Sequence, residues 1–531
     1  MNLTSYSFLL FLFVCVVLYY LIPKKGQWVL LLVASYVFYF INGIFYPLFL
    51  FASTVLTYTT ALAISNKAQR DNEWFKAHKA ELGREEKRAF RAASDKVKKC
   101  YMLLGLLACL LMLGVFKYSN FVIENVNQML GLAGYSGRLH TWDLLLPMGL
   151  SFYTFQSIGY LLDVYMERGP VEKNFFKYML FVSFFPQLIQ GPISRYSDVA
   201  DSMYAEHTWE WKQIKFGCER ILWGFFKKLV VADTIAPVVR YLAGDTDYYT
   251  GVWVLVGIVV YAIQLYADFS GGIDITIGAA QLFGVHLPEN FIRPYFSRSI
   301  AEFWRCWHIT MGTWFRDYLF YPLSISDGMI RLTTKCQKRF GKAVAKRVSV
   351  YIVTMVTWFA TGIWHGASWN FVVWGLLNGA VLLISRELEP LYRKFHGRFP
   401  RLVATKGYAV FQMLRTFLLM GCLQIFDYYS DVRTAIRMFF SMFTKFHISD
   451  LTLSGLLELD VTAAQYGIVG IGCVTMLAVS IVSIKGSVRE QLEKKSFIVR
   501  YLVMLALFVA VVLFGSYGYG YDSSQFIYNQ F

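Results

Sequence analysis

Charge is scarce in this sequence, at 16% of 531 residues, and histidine is scarcer still, with eight in the whole chain. Set against 56% hydrophobic residues and a mean hydropathy of +0.44, the shortage of charge excludes an ordinary soluble domain and predicts a polytopic, all-α membrane protein. Paired cysteines are missing too. The eight, at 15, 100, 109, 218, 306, 336, 422 and 473, include no two at metal-ligand spacing and mostly lie in or beside apolar runs, so they read as unpaired and no metal site is expected. Cys306 reads as a small packing residue rather than an acyl carrier. No small-residue cleavage site follows the first apolar run, 5–22; Lys24 and Lys25 come directly after it, which predicts a retained helix rather than a signal peptide. Acids are outnumbered by bases, for a net charge of +16. The bases sit in short segments between apolar runs, the positive-inside pattern, so the surplus reads as topology and not as a nucleic-acid partner.

The chain reads as one integral membrane domain, 1–531, with about ten to twelve spans plus re-entrant and interfacial helices. Residues 65–100 carry eleven Lys and Arg against six Asp and Glu and predict a solvated cytoplasmic helix without chemistry. Residues 331–347 carry seven bases and no acid and predict a second cytoplasmic segment, a loop; 120–142 reads as a mixed connection. Between 427 and 465 acids outnumber bases, which places that connection outside, with a possible amphipathic piece from Arg433 to Phe446. From 175 to 195 an apolar stretch is interrupted by Pro186, Gly191 and Pro192 with Gln187 and Gln190 among the breaks, the pattern of a re-entrant or cavity-lining segment. Residues 207–228 alternate aromatic and basic side chains and predict an interfacial helix. The apolar stretch 252–285 carries Asp268 and Asp274 and is expected to be split at Ser270, Gly271 and Gly272. Carboxylates there must be paired, hydrogen-bonded or turned to a polar cavity, with Arg293, Arg305 or Arg316 as candidate partners, and Asp268 is a candidate support for the site.

Two stretches hold the candidate chemistry: Arg293 to Leu323 and Gly362 to Asn370, with one histidine each, His308 and His365. Read as one helix, the first puts Trp304, Trp307, Met311, Phe315 and Tyr318 on one side and Arg298, Glu302, Arg305 and Arg316 on the other, with His308 at the seam. In the second, Gly362, Gly366, Ala367 and Ser368 surround His365 with small residues that leave room for a substrate. WHGASW is expected at the far turn of a hairpin, or deep in the bilayer. A histidine beside a membrane segment is often only a packing residue, but an ionisable group at membrane depth is expensive, and imidazole is the side chain best suited to moving protons near neutral pH. Asp317, Trp364 and Asn370, in the same two stretches, are candidate supporting or substrate-binding residues.

Four segments carry a resemblance: SIAEFWRCWHITMGTWFRDYLFYPL, GIWHGASWNFVVWGLLNG, YADFSGGIDITIG and FPQLIQGPISR. In their order along the chain they are similar to the signature segments of the membrane-bound O-acyltransferase family, most of all its bacterial alginate O-acetyltransferase branch, with the teichoic acid D-alanyl transfer proteins as cousins. The match runs from about 146 to about 379, and the closing FIYNQF also resembles that branch. Cys306 stands where the branch usually has a basic residue, and PLSIS replaces a usual glycine pair; the second departure argues against alginate itself as the acceptor. The resemblance implies a multi-pass enzyme of the bacterial cytoplasmic membrane that passes an acyl group through a central tunnel. It places His365 in the position of the family's most strongly implicated histidine and His308 in that of its second. No cofactor is expected to be tightly bound; the donor is acetyl-CoA or a carrier-bound acyl thioester. An extracytoplasmic partner, a serine hydrolase-like acetyltransferase, is expected to complete delivery to a cell-surface polysaccharide.

On this reading His365 is the base, while His308 bonds the acyl carbonyl, positions the donor or relays the proton, and Arg305 and Arg316 meet the phosphates of a carrier. Two other readings stay open: D-alanyl transfer from an acyl carrier protein, and a transporter or flippase, to which intramembrane carboxylates and broken helices are equally natural.

Overall fold

Helices build the protein: the computed structural model describes residues 1–135, 137–144 and 147–518, and among these the only bridge outside helices joins Phe291 and Trp307. The carboxyl-terminal FIYNQF lies outside the described residues. Among the described residues eight helices are long and apolar enough to cross a membrane: Tyr46–His78, Arg84–Leu132, Val252–Leu282, Asp327–His365, Trp369–Glu387, Lys406–Tyr428, Ala463–Lys485 and Phe497–Phe514. The protein is a multi-pass membrane protein. The difference from ten to twelve lies partly in Tyr6–Leu21, Gln27–Asn42 and Leu150–Tyr165, each of 16 residues. Such a helix is about 24 Å long, against a hydrocarbon core of about 30 Å.

The chain divides into two units, of which the first comprises Met1–Gly217 and Ala279–Pro288. Its charged stretch 65–100 is not one helix but the ends of two, Tyr46–His78 and Arg84–Leu113, joined by a turn. Asp71 ties them, accepting from Lys67 at 2.7 Å and from Ser94 at 2.5 Å, while Trp74 stacks on His78 and Phe90. The second helix passes through a π-turn, Gly114–Tyr118, into Ser119–Leu132, so the first half of the expected 120–142 connection is helical.

In the same unit the interrupted stretch 175–195 forms the helix Phe175–Ser183, one turn at Phe185–Leu188 and an irregular run. It is buried through most of its length, and side chains satisfy the backbone groups freed by the breaks: Ser35 accepts from the Phe185 N–H at 3.1 Å, and Gln156 donates to the Phe181 carbonyl at 3.0 Å. Irregular backbone at membrane depth requires such cover.

The second unit comprises Cys218–Gly278 and the chain from Glu289 onward. The Val252–Leu282 helix is continuous through Ser270, Gly271 and Gly272, contrary to the expected split. The reason is packing. A Cβ on Gly271 would lie 2.9 Å from the Gly224 carbonyl, and one on Gly224 would lie 2.6 Å from the Gly271 carbonyl, so the glycines let two backbones touch rather than break one. Residues 331–347, expected as a loop, belong to the helix Asp327–His365, which starts at Ser326 and bends at Gly341, where φ is 83°. The bases there line a helix instead of a loop. The amphipathic piece after 432 is the helix Val432–Thr444, capped by Asp431, which accepts from the Thr434 N–H at 2.7 Å.

Candidate active site

The stretch around His308 departs from the single helix expected of it. Ser299 caps a short helix, Ile300–Cys306, by accepting the Glu302 N–H at 3.2 Å; the chain then leaves helical geometry at Trp307. His308 follows in the left-handed region, φ 44° and ψ 54°, before a second short helix, Ile309–Phe315. A left-handed histidine is uncommon and is held there by its surroundings. Here the surroundings are residues 290–292, which pair with 306–309: Ile292 donates to the Cys306 carbonyl and Ile309 to the Asn290 carbonyl, both at 3.0 Å. Trp304 and Trp307 therefore do not share a face. Trp304 packs on Trp358 and Trp374, whereas Trp307 packs on Phe291 and Phe303.

His365 ends the Asp327–His365 helix, and after a turn at 366–368 the helix Trp369–Glu387 returns beside it, so WHGASW is the turn of a hairpin. The small residues do not leave a void for substrate as expected. A Cβ on Gly366 would sit 2.1 Å from the Phe371 ring, one on Gly362 would sit 2.4 Å from the Phe371 carbonyl, and one on Gly375 would sit 2.4 Å from that of Trp358. Glycine lets the hairpin close and brings Phe371 and Trp374 against the imidazole. Asn370 fixes the turn by bonding Ser368 and donating to the Phe426 carbonyl at 2.9 Å.

The two histidines meet at Trp364. Its ring lies 6.0 Å from that of His308 and 5.2 Å from that of His365. Phe269 closes one side of His308 at 4.8 Å, and Trp374 lies 4.6 Å from His365. His308, Trp364 and Asn370 are all buried. Aromatic rings thus pack against both imidazoles.

The other expected residues divide. Asp268 is buried and pairs with Lys228, which also reaches Asp233 at 2.8 Å; Asp274 pairs with Lys227 at 2.6 Å and Arg220 at 2.9 Å. The partners of the carboxylates are thus not the expected Arg293, Arg305 or Arg316. Lys227 and Lys228, read from sequence as part of an interfacial helix, are buried in a π-turn, Phe226–Ala232. Arg305 and Arg316 are exposed, and Arg316 is tied to the adjacent Asp317 at 2.7 Å. Sequence reasoning missed the lysines, whose signal was their place in the apolar run FFKKLVVA, and it missed Asn290, which has no local signal.

A cavity of about 290 Å³ has a mainly apolar wall that includes Tyr266 and Phe291, with Lys227, Asp274, Glu289 and Arg293 as its charged residues. Both rings pack on Trp307, and Phe291 packs on Phe269 at 4.9 Å. From the cavity wall two successive rings, Phe291 and Phe269, lead to the His308 imidazole.

These features define a class: an all-helical, multi-pass membrane protein with two imidazoles brought together around a buried tryptophan. Comparison with known proteins gives the family. The family model of the membrane-bound O-acyltransferases matches residues 168–331, which include His308 and stop short of His365. The probable alginate O-acetylase of Azotobacter vinelandii is 33% identical over 455 residues, covering 84% of this chain and 78% of that protein. The peptidoglycan O-acetyltransferase of Helicobacter pylori is 33% identical over 58% of this chain and 59% of its own length. The teichoic acid D-alanyltransferase of Bacillus subtilis is 24% identical over 48% of this chain and 62% of its own. The chain belongs to the membrane-bound O-acyltransferase family and is an O-acyltransferase.

Proposed function

We propose that the protein is an O-acetyltransferase of the bacterial cytoplasmic membrane. It takes an acetyl group from a cytoplasmic thioester, acetyl-CoA or an acylated carrier, and delivers it for O-acetylation of a cell-surface polysaccharide. The observation that carries this reading is the meeting of His308 and His365 at Trp364, in a chain 33% identical to proteins named as an alginate O-acetylase and a peptidoglycan O-acetyltransferase. His365 takes the proton of the acceptor hydroxyl as its oxygen attacks the thioester carbonyl. The new C–O bond forms, the C–S bond breaks, and the departing thiolate takes up a proton. His308 bonds the carbonyl oxygen, where negative charge develops, or relays that proton.

The cavity beside Phe291, with its charged residues, is suited to receive the donor, and the exposed guanidinium groups of Arg305 and Arg316 are suited to the phosphates of a carrier. An extracytoplasmic partner resembling a serine hydrolase completes delivery. Mass analysis of envelope polysaccharide from cells with and without the protein tests the reading: O-acetyl groups are expected to disappear in its absence. Loss of D-alanyl esters instead would select the teichoic acid reading. Unchanged acylation with a transport defect would select a transporter.

A further inference from the structure

A buried carboxamide lies directly behind His308. Asn290 is fully buried, and its Oδ1 accepts from the Thr310 backbone N–H at 3.0 Å, the Thr310 hydroxyl at 3.0 Å and the His308 ring at 3.3 Å. A backbone N–H can only donate, so the atom facing it is the carbonyl oxygen of the amide, which can only accept. His308 Nδ1 must therefore carry the hydrogen. A neutral imidazole protonated at Nδ1 presents its lone pair at Nε2. The same orientation leaves Asn290 Nδ2 buried without a partner among the described residues, a desolvation cost on the order of 1–3 kcal/mol that calls for a compensating role.

We propose that Asn290 is a positioning residue for acyl transfer: its Oδ1 holds the left-handed turn at His308 and fixes the imidazole with hydrogen on Nδ1, so that Nε2 faces the chemistry. This rests on the part of that reading in which His308 relays the proton, since a lone pair at Nε2 accepts and gives the carbonyl oxygen no hydrogen bond. An asparagine serving only to start the Ile309–Phe315 helix would need the Thr310 N–H and nothing from the ring. The contact to Nδ1 is what separates the two.

The test is the nitrogen-15 spectrum of the full chain in lipid nanodiscs with labelled histidine, the His308 signals being identified by their loss in His308→Gln. The wild-type ring is expected to carry hydrogen on Nδ1 when neutral. Asn290→Ala is expected to lose that preference and to lower envelope O-acyl content per folded molecule by about a hundredfold, the scale of a misplaced reacting group. Asn290→Asp keeps the acceptor oxygen, so Nδ1 stays protonated and part of the activity returns. A wild-type ring with hydrogen on Nε2, or a tautomer unchanged in Asn290→Ala, overturns the proposal. If Asn290→Ala does not accumulate, the wild-type and Asn290→Asp spectra decide. A tautomer that behaves as expected while His308→Gln acylates normally would instead overturn the role given to His308.

Discussion

His365→Ala is expected to lower acyl transfer per folded molecule by at least about a hundredfold, because positioned general acid/base catalysis contributes roughly 10² to 10⁴. The fold is expected to survive. His365 ends its helix and meets Trp364, Phe371 and Trp374 through ring contacts, each of which contributes about 0.5–1.5 kcal/mol, and the hairpin beneath it closes through glycine and Asn370. The measurement is envelope O-acyl content normalised to the amount of monodisperse protein recovered from the membrane. A variant that acylates normally would remove His365 from the chemistry; one that is lost from the membrane would show that the ring supports the fold.

Lys228→Met is expected to do the opposite: to destabilise the protein by about 3–5 kcal/mol, the usual effect of removing one partner from a buried ion pair. The Lys228 side chain is fully buried between Asp268 and Asp233, whose side chains are 2% and 9% exposed, so the substitution removes the cation that two buried carboxylates share. Thermal unfolding in detergent should show the loss, and Lys228→Met combined with Asp268→Asn should recover part of it. For the same reason Asp268→Asn is expected to lower the yield of folded protein more than the turnover of what remains. A variant of normal stability and poor turnover would return Asp268 to the site.

The residues that carry the proposed chemistry were legible in the sequence because both histidines sit in motifs long enough to recognise. Their surroundings were less so. The left-handed turn at His308 depends on pairing with 290–292, a contact that no helical periodicity within 293–323 can reveal. Lys227 and Lys228 read as interfacial because basic and aromatic residues alternate before them; of the carboxylates they meet, Asp274 and Asp268 lie 47 and 40 residues away. Glycine misled twice. Gly271 and Gly366 look like a helix break and a roomy pocket, and both turn out to mark places where another backbone or ring comes too close for a Cβ. The breaks within 175–195 are legible, because proline and glycine within an apolar run have few structural solutions.

The central claim is that His308 and His365 act as one site. The direct test is a cycle of His308→Ala, His365→Ala and the double variant, read as envelope O-acyl content per folded molecule. Groups that act as a unit are far from additive, so the double variant is expected to be no worse than the more damaged single one. Losses that multiply in full would place the two histidines at independent sites, and wild-type acylation in either single variant would contradict the shared site outright.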